Sequence, residues 1–542
     1  MKTNGATIFQ RKATAQLFLS VLVVISLLFT FIGTALAAPI VYDLKTDHNH
    51  TTIWGAETDG YMSEITGSAD FNDDGIQDLL IGAAGIGDGA LNYRGAAYMI
   101  LGKQSSIPSL NLASQQADFT VLGEAGGDIL GHGVAGGDVS GDGIADIIIS
   151  ADQYMNGRGA VYVFRGGKGK FSSPAAVTAD KADLRITGAS ENIRFGRSVT
   201  SGDINNDGVA DIVVGAYYYS DYRGAVFVFL GGSGLFSKST LSSSDADLVI
   251  VGPETGNAPD SADTTGLGSL LGRAVAVGDV TGDGVADIIA GAYGEDVGSA
   301  EDAGKVYIIK GGSLPAGPID LSVSGSATAV LTGVEAYGQA GFTVAAGDMN
   351  GGAEDVIAGA YFPGTNKGSG KVYVFSGGSG LAGTKSLSGS AMVVTGAHTG
   401  DRLGRSVAAG DVNKDGLADL LIGASRADPN GASSGAAVLI YGKGSLPSQI
   451  LLSDTNTGDI RILGAAGGTT CDTDPANNDC GDELGHSATI SDLNNDGYGE
   501  IVVGAIYANN GDLQDAGATY IFSGNQTPIQ GDNMIYLPTV LK

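Results

Sequence analysis

One nine-residue pattern, D-x-[DNST]-x-D-G-x-x-[DE], recurs along this chain and constrains its fold more than any other feature. It starts at Asp70, Asp138, Asp203, Asp279, Asp411 and Asp492, and a damaged copy, DMNGGAED, starts at Asp348. Successive starts are 63 to 81 residues apart, so each repeat is one supersecondary unit in an array. The flanks repeat as well. A short apolar stretch opened by Leu/Phe-Gly precedes the pattern, as at Phe195-Gly196. A β-rich run follows it, as in DIVVGAY from Asp211. Next come a variable polar loop, a G-A-V-x-V-F-x-G-G segment as at Gly224, and a strand ending in Gly, as at Ile186-Thr187-Gly188.

Alternation, β-branched residues and glycine-bounded ends predict a strand for each of these four segments. A four-stranded unit cannot bury both faces alone, but seven packed radially can. The expected fold is therefore all-β: a seven-bladed β-propeller of four-stranded antiparallel blades. Seven strands end in Gly, and the first, Thr51 to Gly55, precedes the first loop. It is expected to supply the outer strand of blade seven and close the ring. The expected boundaries are a leader over 1–37, a lead over 38–50, the propeller over 51–524 and a tail over 525–542.

The chemistry of the repeat is cation binding. Oxygen side chains at positions 1, 3, 5 and 9, with the position-7 carbonyl, can wrap one hard cation, and Gly at position 6 allows the turn. Oxygen-only ligands suit Ca²⁺ rather than Zn²⁺. The expected ligands in blade one are Asp70, Asn72, Asp74, Asp78 and the Ile76 carbonyl. Blade two offers Asp138, Ser140, Asp142, Ile144 and Asp146; blade three offers Asp203, Asn205, Asp207, Val209 and Asp211. Blade four offers Asp279, Thr281, Asp283, Val285 and Asp287; blade six offers Asp411, Asn413, Asp415, Leu417 and Asp419. Blade seven offers Asp492, Asn494, Asp496, Tyr498 and Glu500, whereas blade five has Gly352 at position 5 and is one residue short. About six structural Ca²⁺ sites are expected, of affinity on the order of 10⁻⁴ to 10⁻³ M. The bland alternative is that Asp and Gly only form Asx-turns between strands.

These units resemble FG-GAP repeats, and the whole resembles the seven-bladed propeller of integrin α-subunit N-terminal regions. FG stands as Phe195-Gly196, relaxed to Leu-Gly at Leu130, Leu271, Leu403 and Leu484; GAP stands as Gly-Ala-Tyr at Gly215, Gly291 and Gly359. The resemblance implies calcium loops on the bottom of the ring. His132, Arg197, Arg273, Arg405 and His486 share one position near the start of the inner strand, which Glu64 and Phe342 fill in the other two blades. That ring then lies on top, either as a site for a partner's acidic group or locally paired with loop oxygens. Tyr218, Tyr219 and Tyr222, in the top loop of blade three, are candidates for protein or sugar contacts. Tyr217 and its counterparts are expected to pack between blades.

Composition narrows the partner. Asp and Glu outnumber Lys and Arg, 59 to 29, for a net charge of −30, the wrong sign for nucleic acid or an anionic membrane. Lys2, Arg11 and Lys12, the apolar run Leu17 to Ile32 and Ala35-Leu36-Ala37 form a signal peptide, with cleavage expected after Ala37. No later segment is apolar enough to span a membrane, so a secreted or cell-surface protein is expected. In an oxidising compartment Cys471 and Cys480 are expected to close a disulfide within the blade-seven insertion. The leading functional expectation is a non-enzymatic adhesion or recognition module binding an extracellular protein or glycan through its top loops. The alternatives are an enzyme site on the propeller top, a hydrolase or lyase acting on polysaccharide or phospholipid, and a structural subunit of a surface assembly. No nucleophile elbow or zinc-protease motif is present.

Overall fold

The computed structural model describes residues 39–87, 93–171, 173–254, 268–361, 368–452, 459–465 and 481–525, without the side chains of 63–66. The expected signal peptide, the Cys471–Cys480 pair, most of the tail and Phe362 lie outside these residues. Seven sheets form the seven blades of the propeller. Each has the four expected antiparallel strands and a fifth outside them.

In blade three the inner strand Ser198–Gly202 pairs with Asp211–Ala216, which pairs with Ala225–Phe229, which pairs with Leu248–Val251. The fifth strand, Ile319–Asp320, lies parallel to the fourth and belongs to the connection that follows the third strand of blade four. The same donation recurs from blade to blade. Ala175–Thr178, on the way through blade two, edges blade one, and Gln449–Leu451, in blade six, edges blade five. These segments are only two to four residues long and carry little periodic signal, which is why four strands were expected and five are found.

Two segments near the amino end complete the last sheets. Thr51–Trp54 lies antiparallel to Ala518–Phe522 as the fourth strand of blade seven. Ile40–Asp43, inside the expected 38–50 lead, lies parallel to Ile460–Leu463 as the fifth strand of blade six.

All seven second strands are buried at every position. The pleat explains how. Ile147 and Ile149 point into the core shared with blade one, while Ile148 points into the core shared with blade three. Strands flanked on both sides need apolar runs, and these have them after their acidic first residue, with Ser150 the one polar interruption. Seven such cores each fill one seam between neighbouring blades. The glycines of the Phe-Gly and Gly-Ala motifs meet across these seams. A Cβ on Gly215 would sit 1.9 Å from the Gly272 carbonyl oxygen of the next blade, so neither backbone tolerates a side chain there.

The antiparallel register places the functional segments. The inner strand starts beside the end of the second strand, as Ser198 opposite Gly215 shows, and ends beside its start, as Gly202 opposite Asp211 shows. The Asp loops therefore occupy one face of the ring. The ring position of Arg197 and the Tyr217–Tyr222 loop occupy the other.

Candidate functional site

Each Asp loop is a compact set of carboxylate to backbone N–H bonds. In blade three Asp203 accepts from the N–H groups of Asp207 (3.0 Å) and Gly208 (2.8 Å). Asn205 also accepts from Asp207 N–H, at 2.9 Å, and Asp207 accepts from Val209 N–H, at 2.9 Å. Asn206 and Gly208 take left-handed conformations, φ 61° and 86°, and the position-6 glycine adopts its angle without strain. Position 9 is a bracket. Wholly buried Asp211 accepts from Ile204 N–H at the loop's start and from Gly231 N–H after the third strand, both at 2.9 Å. Asp78, Asp146, Asp287, Asp419 and Glu500 are also buried, and each accepts from backbone N–H within its own loop.

The donor chemistry fits a hard cation. Burial pushes the position-9 carboxyls up, to about 7 for Asp78, Asp419 and Glu500 and about 6 for Asp146, and the carboxylates at positions 1 and 5 push the same way against the backbone N–H bonds. A divalent ion would relieve that crowding. As the loops stand, the oxygens turn to N–H groups, and among the described residues no three His, Cys, Asp or Glu side chains converge as a metal cluster. The Asx-turn bonds of the bland reading are thus present, and in blade three each of these oxygens accepts one bond and keeps a second lone pair. In blade five the side-chain amide of Asn350 donates to both oxygens of Asp355, at 2.8 Å each, inside the shortened loop. In blade four Lys310 forms a 2.6 Å ion pair with the position-5 carboxylate, Asp283, a contact that the repeat pattern did not indicate.

On the opposite face the inner strands of blades two to seven line a central channel of about 320 Å³, and His132, Arg197, Arg273, Arg405 and His486 all face it. The side chain of Glu64 lies outside the described residues. The two histidines have carboxylate neighbours. His132 Nδ1 is 2.8 Å from Asp152, which also lies 3.9 Å from Arg194. His486 Nδ1 faces Glu483 at 3.5 Å, and Arg426 donates to Glu483 at 2.9 Å. Burial works to raise the pKa of both carboxyls, but it is outweighed and both are held below the usual range. His132, Arg197 and Arg194 do this for Asp152; His486, Arg426 and Arg402 do it for Glu483. Arg405 contacts His486 Nε2. Asp152 and Glu483 escaped the sequence reading because each stands in a variable segment of the repeat.

Arg273 is different. Its guanidinium lies 4.5 Å over the ring of Phe342, and that of Arg405 lies 5.9 Å from the same ring. Tyr361 stacks on Phe342 at 4.5 Å, and Tyr293 meets it edge-on at 5.5 Å. Tyr361 is thus buried against the inner strand of its own blade rather than placed by this contact between blades. In blade three Tyr219 rests against core residue Phe227 at 5.4 Å, while Tyr218 contacts Tyr217 at 4.1 Å and Tyr222 at 4.7 Å. A groove of about 590 Å³ runs between residues 190–194 and 218–222. Its walls hold Asn192, Arg194, Ser220, Asp221 and Tyr222 in left-handed conformations, φ 50° to 65°, a form of strain that concentrates at binding sites.

Comparison with known proteins gives the same repeat. The FG-GAP repeat model matches residues 130–164, 195–229, 271–309, 403–440 and 484–522, which are blades two, three, four, six and seven. Integrin alpha pat-2 of Caenorhabditis briggsae is 33% identical over 261 residues, covering 45% of this chain and 18% of that protein. Phosphatidylinositol-glycan-specific phospholipase D of Bos taurus is 33% identical over 183 residues, 33% of this chain and 21% of that protein. Integrin alpha-IIb of Mus musculus is 35% identical over 165 residues, 29% of this chain and 15% of that protein. The chain thus spans less than a quarter of the length of these relatives. Among solved structures, a Dos1 propeller covers 88% of this chain and 95% of its own at 9% identity and a TM-score of 0.39, too distant to bear on the argument. Repeat matches, relatives and the seven sheets agree: the chain carries FG-GAP repeats in an integrin-α-like seven-bladed propeller.

Proposed function

We propose that this protein is an exported, calcium-braced recognition module that binds an extracellular protein or glycan through the top of its propeller. The observation that carries this reading is the division of labour between the two faces. One face repeats the same oxygen-rich loop blade after blade, as a brace would. The other varies from blade to blade and holds the strained tyrosine groove between residues 190–194 and 218–222. In each complete loop, positions 1, 3, 5 and 9 and the position-7 carbonyl would hold Ca²⁺, which supplies charge neutralisation and pins the hairpin. Blade five, where Asn350 already engages Asp355, would hold none. Among the described residues no helix is long and apolar enough to cross a membrane.

The test is binding of the chain to a panel of glycans, matrix proteins and cell surfaces, in Ca²⁺ and in EGTA. Saturable binding that EGTA abolishes and Tyr218→Ala weakens supports the reading; no binding in either condition overturns it. A second reading is favoured by the likeness to phosphatidylinositol-glycan-specific phospholipase D: an enzyme acting on phospholipid or polysaccharide. Turnover of a phosphatidylinositol-glycan substrate by the purified chain would establish it.

A further inference from the structure

The wall of the central channel is mostly small and apolar: inner-strand Val, Ala, Ser and Thr residues alternate around it. The ionisable side chains lining it, among the described residues, are all basic, although the chain as a whole carries a net charge of −30. Two of the five, His132 and His486, are engaged with Asp152 and Glu483. The three arginines are another matter. Arg197 senses the charge of Asp152, but that carboxylate is buried and turned to His132 and Arg194. Arg273 and Arg405 share the ring of Phe342, Arg405 also contacts His486 Nε2, and among the described residues Arg273 has no carboxylate partner. Burial lowers the Arg273 pKa, and the charges of Arg197 and Arg405 lower it further.

Three guanidiniums around an apolar-walled channel repel one another more strongly than they would in water. The face of one phenyl ring offsets this only in part. An anion placed among them would accept from several planar donor forks at once, which is the geometry guanidinium groups favour for carboxylate.

We propose that Arg197, Arg273 and Arg405 form a carboxylate-binding site at the channel mouth, which takes an acidic side chain of a partner protein inserted along the propeller axis. The shape argues for a peptide. A saccharide needs an open aromatic face, and the ring of Phe342 is already covered by Tyr361 and Arg273. A slender Asp or Glu side chain fits a channel of about 320 Å³. The proposal rests on the recognition reading only in making the partner a protein; it requires neither calcium nor the tyrosine groove.

The experiment is fluorescence anisotropy of a labelled hexaglutamate peptide with the full chain at low salt, beside hexalysine, oligogalacturonate and inorganic phosphate. Hexaglutamate is expected to bind and hexalysine not to. Arg273→Gln is expected to weaken binding roughly tenfold to a hundredfold, the usual worth of a charge-assisted pair of hydrogen bonds. Arg197→Gln and Arg405→Gln serve the same purpose if the unfolding midpoint shows that Arg273→Gln does not fold. Tyr218→Ala is expected to leave hexaglutamate binding unchanged, which separates failure of this site from failure of the groove. Absence of hexaglutamate binding, full binding by both the Arg197 and Arg405 variants, or tighter binding of oligogalacturonate or phosphate would each overturn the proposal.

Discussion

At the scale of single residues, the position-9 carboxylate does two jobs that mutation can separate. Asp211 satisfies two backbone N–H groups whether or not a cation is present, and Asp355 brackets blade five in the same way, at 3.2 and 3.3 Å. Asp211→Ala and Asp355→Ala should each cost about 2–4 kcal/mol in denaturant unfolding with EGTA, because each strands buried donors. With Ca²⁺ added, the Asp211 penalty should grow and the Asp355 penalty should not. Equal responses would remove the metal from the account of blade three. A different acid tests burial alone. Asp302 is 1% exposed, its Oδ1 has no hydrogen-bond partner among the described residues, and its pKa is pushed up to about 7 by burial first and then by Asp296 and Glu301. Its folded-state pKa is thus above the unfolded value of about 4. The folded state binds the proton more tightly, so this carboxyl's contribution to stability is fully present below about pH 4 and is lost as pH rises towards 7. Asp302→Asn should flatten that part of the pH–stability profile and raise stability at pH 8, by at most about 4 kcal/mol. An unchanged profile would show that the carboxyl is hydrated. The hydrogen-bonded Asp loops were legible in the sequence because their pattern is local, fixed by offsets within nine residues. Asp152, Glu483 and Lys310 were not, because each matters only through a residue that the fold brings near.

At the scale of elements, the four-stranded blade was legible because strands packed on both sides must be apolar along their length, as Asp211–Ala216 is after its first residue. The fifth strand was not. Ile319–Asp320 and Leu110–Asn111 are two residues long, and their pairing depends on a neighbouring blade rather than on their own periodicity. Ile40–Asp43 is the most testable of the set. It covers the edge of Ile460–Leu463, Leu44 beside it is buried, Asp43 accepts from Asn430 at 2.8 Å, and Tyr42 packs against Phe522 at 4.9 Å. Removing residues 38–47 should lower the unfolding midpoint and expose an unpaired edge that invites association. Differential scanning calorimetry and size-exclusion chromatography would read both effects. A truncated chain as stable and monomeric as the parent would make the strand dispensable.

At the scale of the whole molecule, blade count and order followed from the repeat, whereas the meeting of the inner-strand positions in one channel needed the ring. Isothermal titration with Ca²⁺ should give close to six sites, and Asp207→Asn should remove one without unfolding the chain. A count of zero would leave the loops as Asx-turns only. The pairing of Thr51–Trp54 with Ala518–Phe522 also sets an order in time. Asn510 donates to the Gly55 carbonyl across 455 positions of sequence, so one of the first two strands to leave the ribosome waits for nearly the last. Blades one to five can assemble as they appear, since each receives its edge from the blade made next. Blades six and seven must recover strands made at the outset, and until they do the nascent protein is an open arc with two bare edges. Any chaperone or protease that acts on this chain has its opportunity in that interval.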